Sequence, residues 1–245
     1  MYNDIIITTN SEHLDTTFNE IIVDKCMKYD LWKIGAYFTH IVNYPNSSQG
    51  AHIEDIFIDM LGSIPVDDSK PSYVAHNGKR VRLKCDFILP NNLGIQFKSH
   101  IQKGRVFNHN GDVTTQDNSL KIFDASRKKY DTDQKKTLRD LLDGIGWDVT
   151  LMVYMFEKGT GKSCLCFTSL QEMCYGLFGN VENDNIMKFF HYDKGGCHYF
   201  INRIDVYYTA KKHKRIIRSN TPSDTELELY TSRKTKPKPF IEEVF

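Results

Sequence analysis

Four residues in the first half of the chain have types and a spacing suited to metal-dependent hydrolysis of a phosphodiester bond. Asp86 is followed by Gln96 and Lys98, and Glu54 lies upstream. A carboxylate binds a hard cation such as Mg²⁺, which keeps several of its waters. Such a cation lowers the pKa of a bound water, and a lysine can orient that water and offset charge in the transition state. The backbone carbonyl of Phe97 can complete the metal shell.

The element that must position these residues is a β-hairpin. Residues 80–87 alternate between polar and apolar types, as a half-buried strand does, and residues 95–99 alternate again. The residues between them, 89–94, contain Pro, Asn and Gly and predict a turn. Side chains two apart on a strand share one face. We therefore expect Asp86, at the end of the first strand, to lie beside the glutamine and the lysine of the second.

A helix is expected to supply the remaining acidic residue. Residues 51–61 have an apolar stripe at helical spacing, which predicts an amphipathic helix. Glu54 lies on this helix, and Asp55 and Asp59 are its rivals for the same role. We prefer Glu54.

Together, the helix glutamate, Asp86 and the run Gln96-Phe97-Lys98 resemble the active-site pattern of the PD-(D/E)XK nuclease superfamily. That family places an aspartate on the first strand of a hairpin and (D/E)-X-K on the second. The resemblance covers residues 51–167. It implies an α/β protein with a restriction-endonuclease-like mixed central β-sheet flanked by helices, to which DNA-recognition elements are added.

The resemblance also implies roles for individual residues. The catalytic set is Glu54, Asp86, Gln96 and Lys98. The implied ligands of Mg²⁺, for which Mn²⁺ can substitute, are Asp86, Glu54, Gln96 and the backbone carbonyl of Phe97. The chain departs from the family pattern at Gln96, where an acidic residue is usual, and this removes one negative charge from the metal site. Some restriction enzymes of similar pattern use Gln-X-Lys.

The charge distribution supports a nucleic-acid partner, although the net charge is only +1. Residues 1–69 hold three basic and eleven acidic residues, whereas residues 70–106 hold eight basic residues and one acidic one. That single acidic residue is Asp86. A basic block of this kind can face a polyanion. The second basic cluster, residues 211–215, is compatible with an ordinary exposed face.

The functional prediction is a Mg²⁺-dependent endonuclease for double-stranded DNA, most like a type II restriction enzyme. Such enzymes act as homodimers, which match the two-fold symmetry of a palindromic target. A cognate DNA methyltransferase that acts on the same site is an expected partner. The candidate contacts to phosphates or bases are Lys103, Arg105, Arg127, Lys128 and Lys129. His100, just past the lysine of the motif, could contact a phosphate, but we expect a packing or surface residue.

Three alternatives remain open from the sequence. The chain could be a repair or junction-resolving nuclease of the same fold. It could also be a catalytically silent nucleic-acid-binding module, in which Gln96 marks lost activity. Finally, Asp86 and Lys98 could form a simple cross-strand ion pair, with Gln96 exposed.

The chain organisation is predicted to be one nuclease domain over residues 1–245. Its parts are a helical region at 1–50, a core at about 51–178, further recognition or dimerisation elements at 179–245, and a mobile tail from about 231. The other expected elements are a loop at 44–50, a helix at 131–143, a buried strand at 147–156, a strand at 163–167, a helix at 169–178 and a β-like segment at 198–208. No stretch is long and apolar enough for a membrane helix. Six cysteines in 245 residues are too few for a disulfide scaffold, which indicates a cytoplasmic, reducing compartment.

Overall fold

The computed structural model describes most of the central sheet and the helices that pack on it. It covers residues 11–38, 46–66, 72–74, 80–82, 85–114, 119–125, 150–178, 197–219 and 221–231. The helices are α1 (Ser11–Thr17), a π-helical turn (Phe18–Val23), α2 (Asp24–Cys26), α3 (Leu31–Ala36), α4 (Asn46–Leu61), α5 (Leu170–Phe178), α6 (Arg203–Lys212) and α7 (Asp224–Thr231). The strands are β1 (Ile64–Pro65), β2 (Ser72–Val74), β3 (Arg80–Arg82), β4 (Phe87–Ile88), β5 (Gly94–Gln102), β6 (Ser119–Ala125), β7 (Thr150–Glu157), β8 (Ser163–Ser169), β9 (Cys197–Asn202) and β10 (Ile216–Arg218).

Six strands form one mixed sheet in the order β1-β4-β5-β7-β8-β10. β5 and β7 run parallel, and the other neighbouring strands are antiparallel. β2 pairs with β3, and β6 pairs with β9, as two separate two-stranded sheets. The chain is therefore an α/β protein with a six-stranded mixed sheet flanked by helices, as the sequence predicted in outline.

The N-terminal helices and α4 cover one face of the sheet. The ring of Phe57 on α4 lies 4.9 Å from that of Phe97 on β5 and 5.4 Å from that of Tyr154 on β7. The buried hydroxyl of Tyr154 donates to the carbonyl of Leu31 at 2.6 Å. Gly35 on α3 is required here, because a Cβ at that position would lie 2.2 Å from the ring of Phe156. These contacts fix α3 and α4 against the two central strands.

A buried ion-pair network joins distant parts of the chain. Arg215, just before β10, is 1% exposed. Its guanidinium donates to Asp15 on α1 at 2.6 Å and to Glu172 on α5 at 2.7 and 2.9 Å, and also to the hydroxyl of Ser11 at 2.8 Å. The expectation that the basic cluster at 211–215 is an exposed face is thus wrong for Arg215, because α1 and α5 close over it.

The first strand of the predicted hairpin is broken. Residues 80–87 were expected to form one strand, but β3 belongs to a separate sheet and β4 contains two residues only. Asp86 lies in a bend directly before β4 rather than at a strand end. The ladder stops here because the Asp86 carboxylate accepts the hydrogen bond of the next β5 amide, that of Phe97.

Two other boundaries differ from the sequence-based expectations. α4 begins at Asn46, inside the loop expected at 44–50. Asn and Ser are favoured at helix starts, so this polar segment suits the first turn of the helix. The β-like segment at 198–208 is a strand only to Asn202, and it continues as α6. The buried residues of α6 have helical spacing, and this packing outweighs the strand preference of its aromatic residues.

Several expectations are confirmed, and others cannot be compared. The strands at 147–156 and 163–167 correspond to β7 and β8, and the helix at 169–178 corresponds to α5. The helical region near the N-terminus is confirmed over 11–36, although a π-helical turn and a break interrupt it. The helix expected at 131–143, and the tail after 231, lie outside the described residues.

Candidate active site

The side-chain carboxylate of Asp86 is the centre of the candidate active site. Its Oδ2 accepts a hydrogen bond from the backbone N–H of Phe97 at 2.8 Å and another from Nε2 of Gln96. Nζ of Lys98 lies 3.4 Å from the same oxygen. The aspartate, glutamine and lysine of the predicted motif therefore converge on one carboxylate oxygen.

The local fold explains this convergence. β4 and β5 are antiparallel, with Phe87 opposite Ile95, and the backbone N–H of Asp86 donates to the carbonyl of Ile95 at 2.7 Å. The connecting turn is closed by Leu89 and Leu93, whose backbone groups are 2.9 Å apart. This register fixes the Asp86 backbone opposite β5. The Asp86 side chain then reaches the backbone N–H two residues further along that strand.

The cluster is partly open to solvent. The side chain of Asp86 is 19% exposed and that of Lys98 is 28% exposed, whereas Gln96 is 5% exposed. The expectation that Gln96 is exposed, which belongs to the simple ion-pair alternative, is therefore wrong. A ligand has access to the aspartate and the lysine, while the glutamine is held by burial.

The oxygen atoms at this site suit a hard cation, but they carry little charge. Asp86 supplies the carboxylate, and Gln96 can supply its amide oxygen after rotation of the amide group. The N–H of Phe97 points toward Asp86, and the C=O of the same strand residue points to the same edge. Mg²⁺ commonly takes one or two carboxylates and keeps several waters, so this donor set fits it. Over the described residues, no group of three or more His, Cys, Asp or Glu side chains forms a metal site.

Glu54 lies on the helix that covers the other face of β5. Phe57 of α4 contacts the ring of Phe97, whereas the side chains on either side of Phe97 along β5, including Lys98, point to the opposite face. Glu54 is half-buried, whereas its rivals Asp55 and Asp59 are exposed. The structure thus brings together three of the four predicted catalytic residues, and the role of Glu54 stays a prediction.

Basic side chains lie beyond the end of β5. Lys103 and Arg105 are exposed in the segment that follows this strand. Lys103 also acts on Lys158, whose pKa is lowered by burial and by the nearby positive charge of Lys103. Lys158 follows the last residue of β7, at the start of the turn that leads to β8. The other predicted DNA contacts, Arg127, Lys128 and Lys129, lie outside the described residues.

The polar face of β5 extends past the predicted motif. His100 and Gln102 follow Lys98 at intervals of two residues, and Nε2 of His100 lies 2.7 Å from Oε1 of Gln102. Burial and the positive charge of Arg203 lower the pKa of His100 to about 4. Sequence reasoning missed Arg203, because it assigned the segment around it to a strand.

The comparisons with known proteins found no relative of this chain. No protein-family model matches the chain, and neither the curated proteins nor the solved structures that were searched contain a match. None of the described helices is long and apolar enough to cross a membrane. The candidate site therefore stands on its own residues and their geometry.

Proposed function

We propose that this protein is a Mg²⁺-dependent endonuclease that hydrolyses phosphodiester bonds of double-stranded DNA, most like a type II restriction enzyme. The observation that carries the proposal is the convergence of Gln96, Lys98 and the Phe97 amide on one oxygen of Asp86. A chance occurrence of these residue types in the sequence would not require them to meet. The mixed sheet is compatible with a restriction-endonuclease-like fold.

The residues that would hold Mg²⁺ are Asp86, Gln96 through its amide oxygen, and the carbonyl of Phe97. When bound, the cation lowers the pKa of a coordinated water and offsets negative charge on the attacked phosphate. Gln96 now donates to the aspartate, so its amide must turn by about half a rotation to present oxygen. Because glutamine is neutral, we expect weaker cation binding than at a site with two carboxylates.

Lys98 has the position of the residue that acts on the water and the phosphate. Its ammonium group is close enough to Asp86 to be oriented by it, and it remains partly exposed. An ammonium group at this place donates hydrogen bonds to the attacking water and to the negative charge that develops on the phosphate oxygens. Such a group contributes to the rate mainly through the transition state.

A second candidate function, a silent DNA-binding module, is favoured by one observation. The Asp86 oxygen already accepts from three donors, and the described residues contain no cluster of three metal-binding side chains. A carboxylate satisfied in this way can be purely structural. Its partial exposure and the basic residues Lys103 and Arg105 would then serve binding alone.

Cleavage of supercoiled plasmid DNA tests the proposal. The wild-type protein is incubated with plasmid and Mg²⁺, with Mn²⁺, or with a chelator, beside the variants Asp86→Ala and Lys98→Ala. We expect cleavage with either metal, none with the chelator, and at least about a hundredfold loss in both variants. Discrete fragments would support restriction, whereas cutting confined to branched DNA would support junction resolution. DNA binding without cleavage would support the silent module.

Two further variants test the metal ligands. Gln96→Glu restores the acidic residue of the family pattern, and we expect cleavage to reach its half-maximal rate at a lower Mg²⁺ concentration. Glu54→Gln should lower the rate, whereas Asp59→Asn, an exposed neighbour on the same helix, should leave it unchanged. Equal rates for the two helix variants would remove Glu54 from the site.

A further inference from the structure

Arg203, the first residue of α6, is a buried cation whose Nε has no hydrogen-bond partner among the described residues. It is 7% exposed, and its Nε is buried and makes no hydrogen bond within the described part of the chain. Removing a guanidinium from water is costly unless an anion or hydrogen-bond acceptors compensate it. A buried guanidinium whose Nε lacks an acceptor among the described residues is therefore a candidate binding group for an anionic ligand.

Arg215, which follows the end of α6, is also buried, but its guanidinium has hydrogen-bond partners. It is 1% exposed, and its guanidinium binds Asp15, Glu172 and Ser11. The carboxylates of Glu172 and Asp15 raise the pKa of Arg215 although burial opposes them. For Arg203, burial alone lowers the pKa, to about 10, and no carboxylate of the described residues opposes it. Because this pKa stays well above 7, Arg203 carries its positive charge at neutral pH.

The position of Arg203 connects it to the candidate active site. Its charge acts on His100 of β5, whose side chain lies on the same strand face as that of Lys98. The two β5 side chains are about 7 Å apart along the strand, since each residue advances the strand by about 3.3 Å. Arg203 is therefore within electrostatic range of His100, which shares a strand face with Lys98.

The chemistry of the guanidinium favours a phosphate as the ligand. Arginine presents a planar set of donors that matches the oxygens of a phosphate, and it is less strongly hydrated than lysine. His100, whose pKa is lowered to about 4, is neutral at pH 7 and adds no second charge beside Arg203. Lys103, just past the end of β5, is exposed, and the half-buried Lys158 follows the neighbouring strand β7, so both extend the positive surface.

We propose that Arg203 binds a backbone phosphate of the DNA, next to the phosphate that is attacked at Asp86. The identity of the ligand as DNA rests on the proposed function. Arg203 thereby becomes a substrate-positioning residue contributed by α6, outside the segment that carries the predicted motif. No acceptor in the described part of the chain binds its Nε, which leaves that donor for the phosphate.

Binding and stability, measured on the same variants, test this proposal. A labelled DNA duplex is titrated with the full-length wild-type protein, Arg203→Met and Arg203→Lys, in the presence of a chelator so that no cleavage intervenes. The titration is repeated at several salt concentrations. Lys28→Gln is the control, because it removes an exposed cation that pairs with Asp24 on α2. The thermal midpoint of each variant is recorded without DNA.

We expect Arg203→Met to weaken binding about ten- to a hundredfold, as loss of a charged hydrogen bond does, and to reduce the salt dependence by about one phosphate contact. The same variant should melt about 2 °C or more above the wild type, because a buried charge is replaced by an apolar side chain. Arg203→Lys should keep the salt dependence but bind more weakly. Lys28→Gln should match the wild type in binding.

A purely structural arginine would give the opposite stability result. Unchanged affinity and salt dependence in Arg203→Met, or a lower thermal midpoint with unchanged binding, would overturn the proposal. Absence of duplex binding by the wild-type protein would overturn it as well. Loss of binding in Arg203→Met when the wild-type protein never cleaves DNA would support the phosphate site and contradict the nuclease. Normal cleavage and full affinity in Arg203→Met would support the nuclease and contradict the phosphate site.

Discussion

The clusters around Asp86 and around Arg215 are both polar, but they differ in solvent exposure and in where their hydrogen-bond partners come from. Arg215 is 1% exposed and donates to two carboxylates and a hydroxyl from distant helices. The Asp86 side chain is 19% exposed, and its carboxylate accepts from three groups of the adjacent strand β5. The first cluster joins elements of the fold, whereas the second is preformed by one hairpin and can accept a ligand.

Because of this difference, we expect the Arg215 cluster to contribute mainly to folding stability and the Asp86 cluster mainly to function. A buried network whose members are all satisfied loses stability when one member is removed. A partly exposed carboxylate held by a local hairpin contributes less to stability and is free to exchange its donors for a ligand. Substitutions in the two clusters should therefore have opposite consequences for folding and for activity.

The largest effect on activity is expected for Lys98→Met. Removal of a group that stabilises charge in the transition state typically costs about 10²- to 10⁴-fold in rate. Because the side chain is 28% exposed, the free energy of unfolding should change by less than about 1 kcal/mol. Single-turnover cleavage and urea unfolding of the same preparation measure both quantities. A Lys98→Met protein that unfolds at lower urea concentration but cleaves at the normal rate would show that Lys98 contributes to stability and not to catalysis.

The largest effect on stability is expected for Arg215→Met. Loss of the guanidinium leaves the buried Glu172 without its cation, and breaking such a buried pair costs about 3–5 kcal/mol, whereas the half-exposed Asp15 adds little. Urea unfolding measures the loss. Lys212→Met, an exposed neighbour on α6, is the control and should stay within about 0.5 kcal/mol of the wild type. If Arg215→Met is as stable as this control, the cluster is not structural.

A smaller effect is expected for Glu157→Gln at the end of β7. Glu157 accepts from the backbone N–H groups of Val106 and Phe107 at 2.6 and 3.0 Å, and it is 5% exposed. Burial acts to raise its pKa, but these amides outweigh burial and hold the pKa below its usual value. The neutral amide should cost about 1–3 kcal/mol and loosen the segment after β5. Hydrogen exchange of those two amides measures the loosening, and unchanged protection would contradict this role.

The smallest expected effect is on the loss of stability at low pH. Burial acts to raise the pKa of Glu172, but Arg215 lowers it to about 2. Its contribution to stability is therefore present above the ordinary glutamate value of about 4.5 and is lost as pH falls towards 2. The low pKa of His100, about 4, acts in the same direction below pH 6.5. Urea unfolding should show a smaller loss between pH 5 and pH 3 in Glu172→Gln than in the wild type, and equal losses would contradict the assignment.

The sequence predicted the site better than the elements around it. The spacing of Gln96 and Lys98 on one strand face, and their meeting with Asp86, follow from local strand and turn preferences. The break before β4 was not predictable in this way, because it depends on a side-chain carboxylate replacing a carbonyl in the ladder. Arg203 and Arg215 were missed for a related reason: their burial depends on packing between segments that are far apart in the chain.

The central claim is that Asp86 holds a catalytic cation, and single-turnover cleavage of duplex DNA as a function of Mg²⁺ concentration tests it most directly. The wild-type protein and Asp86→Ala are compared at equal concentration after both are shown to be folded. We expect saturable, Mg²⁺-dependent cleavage by the wild type and at least about a hundredfold lower rate in Asp86→Ala at every Mg²⁺ concentration. Equal cleavage by the two proteins would contradict the claim.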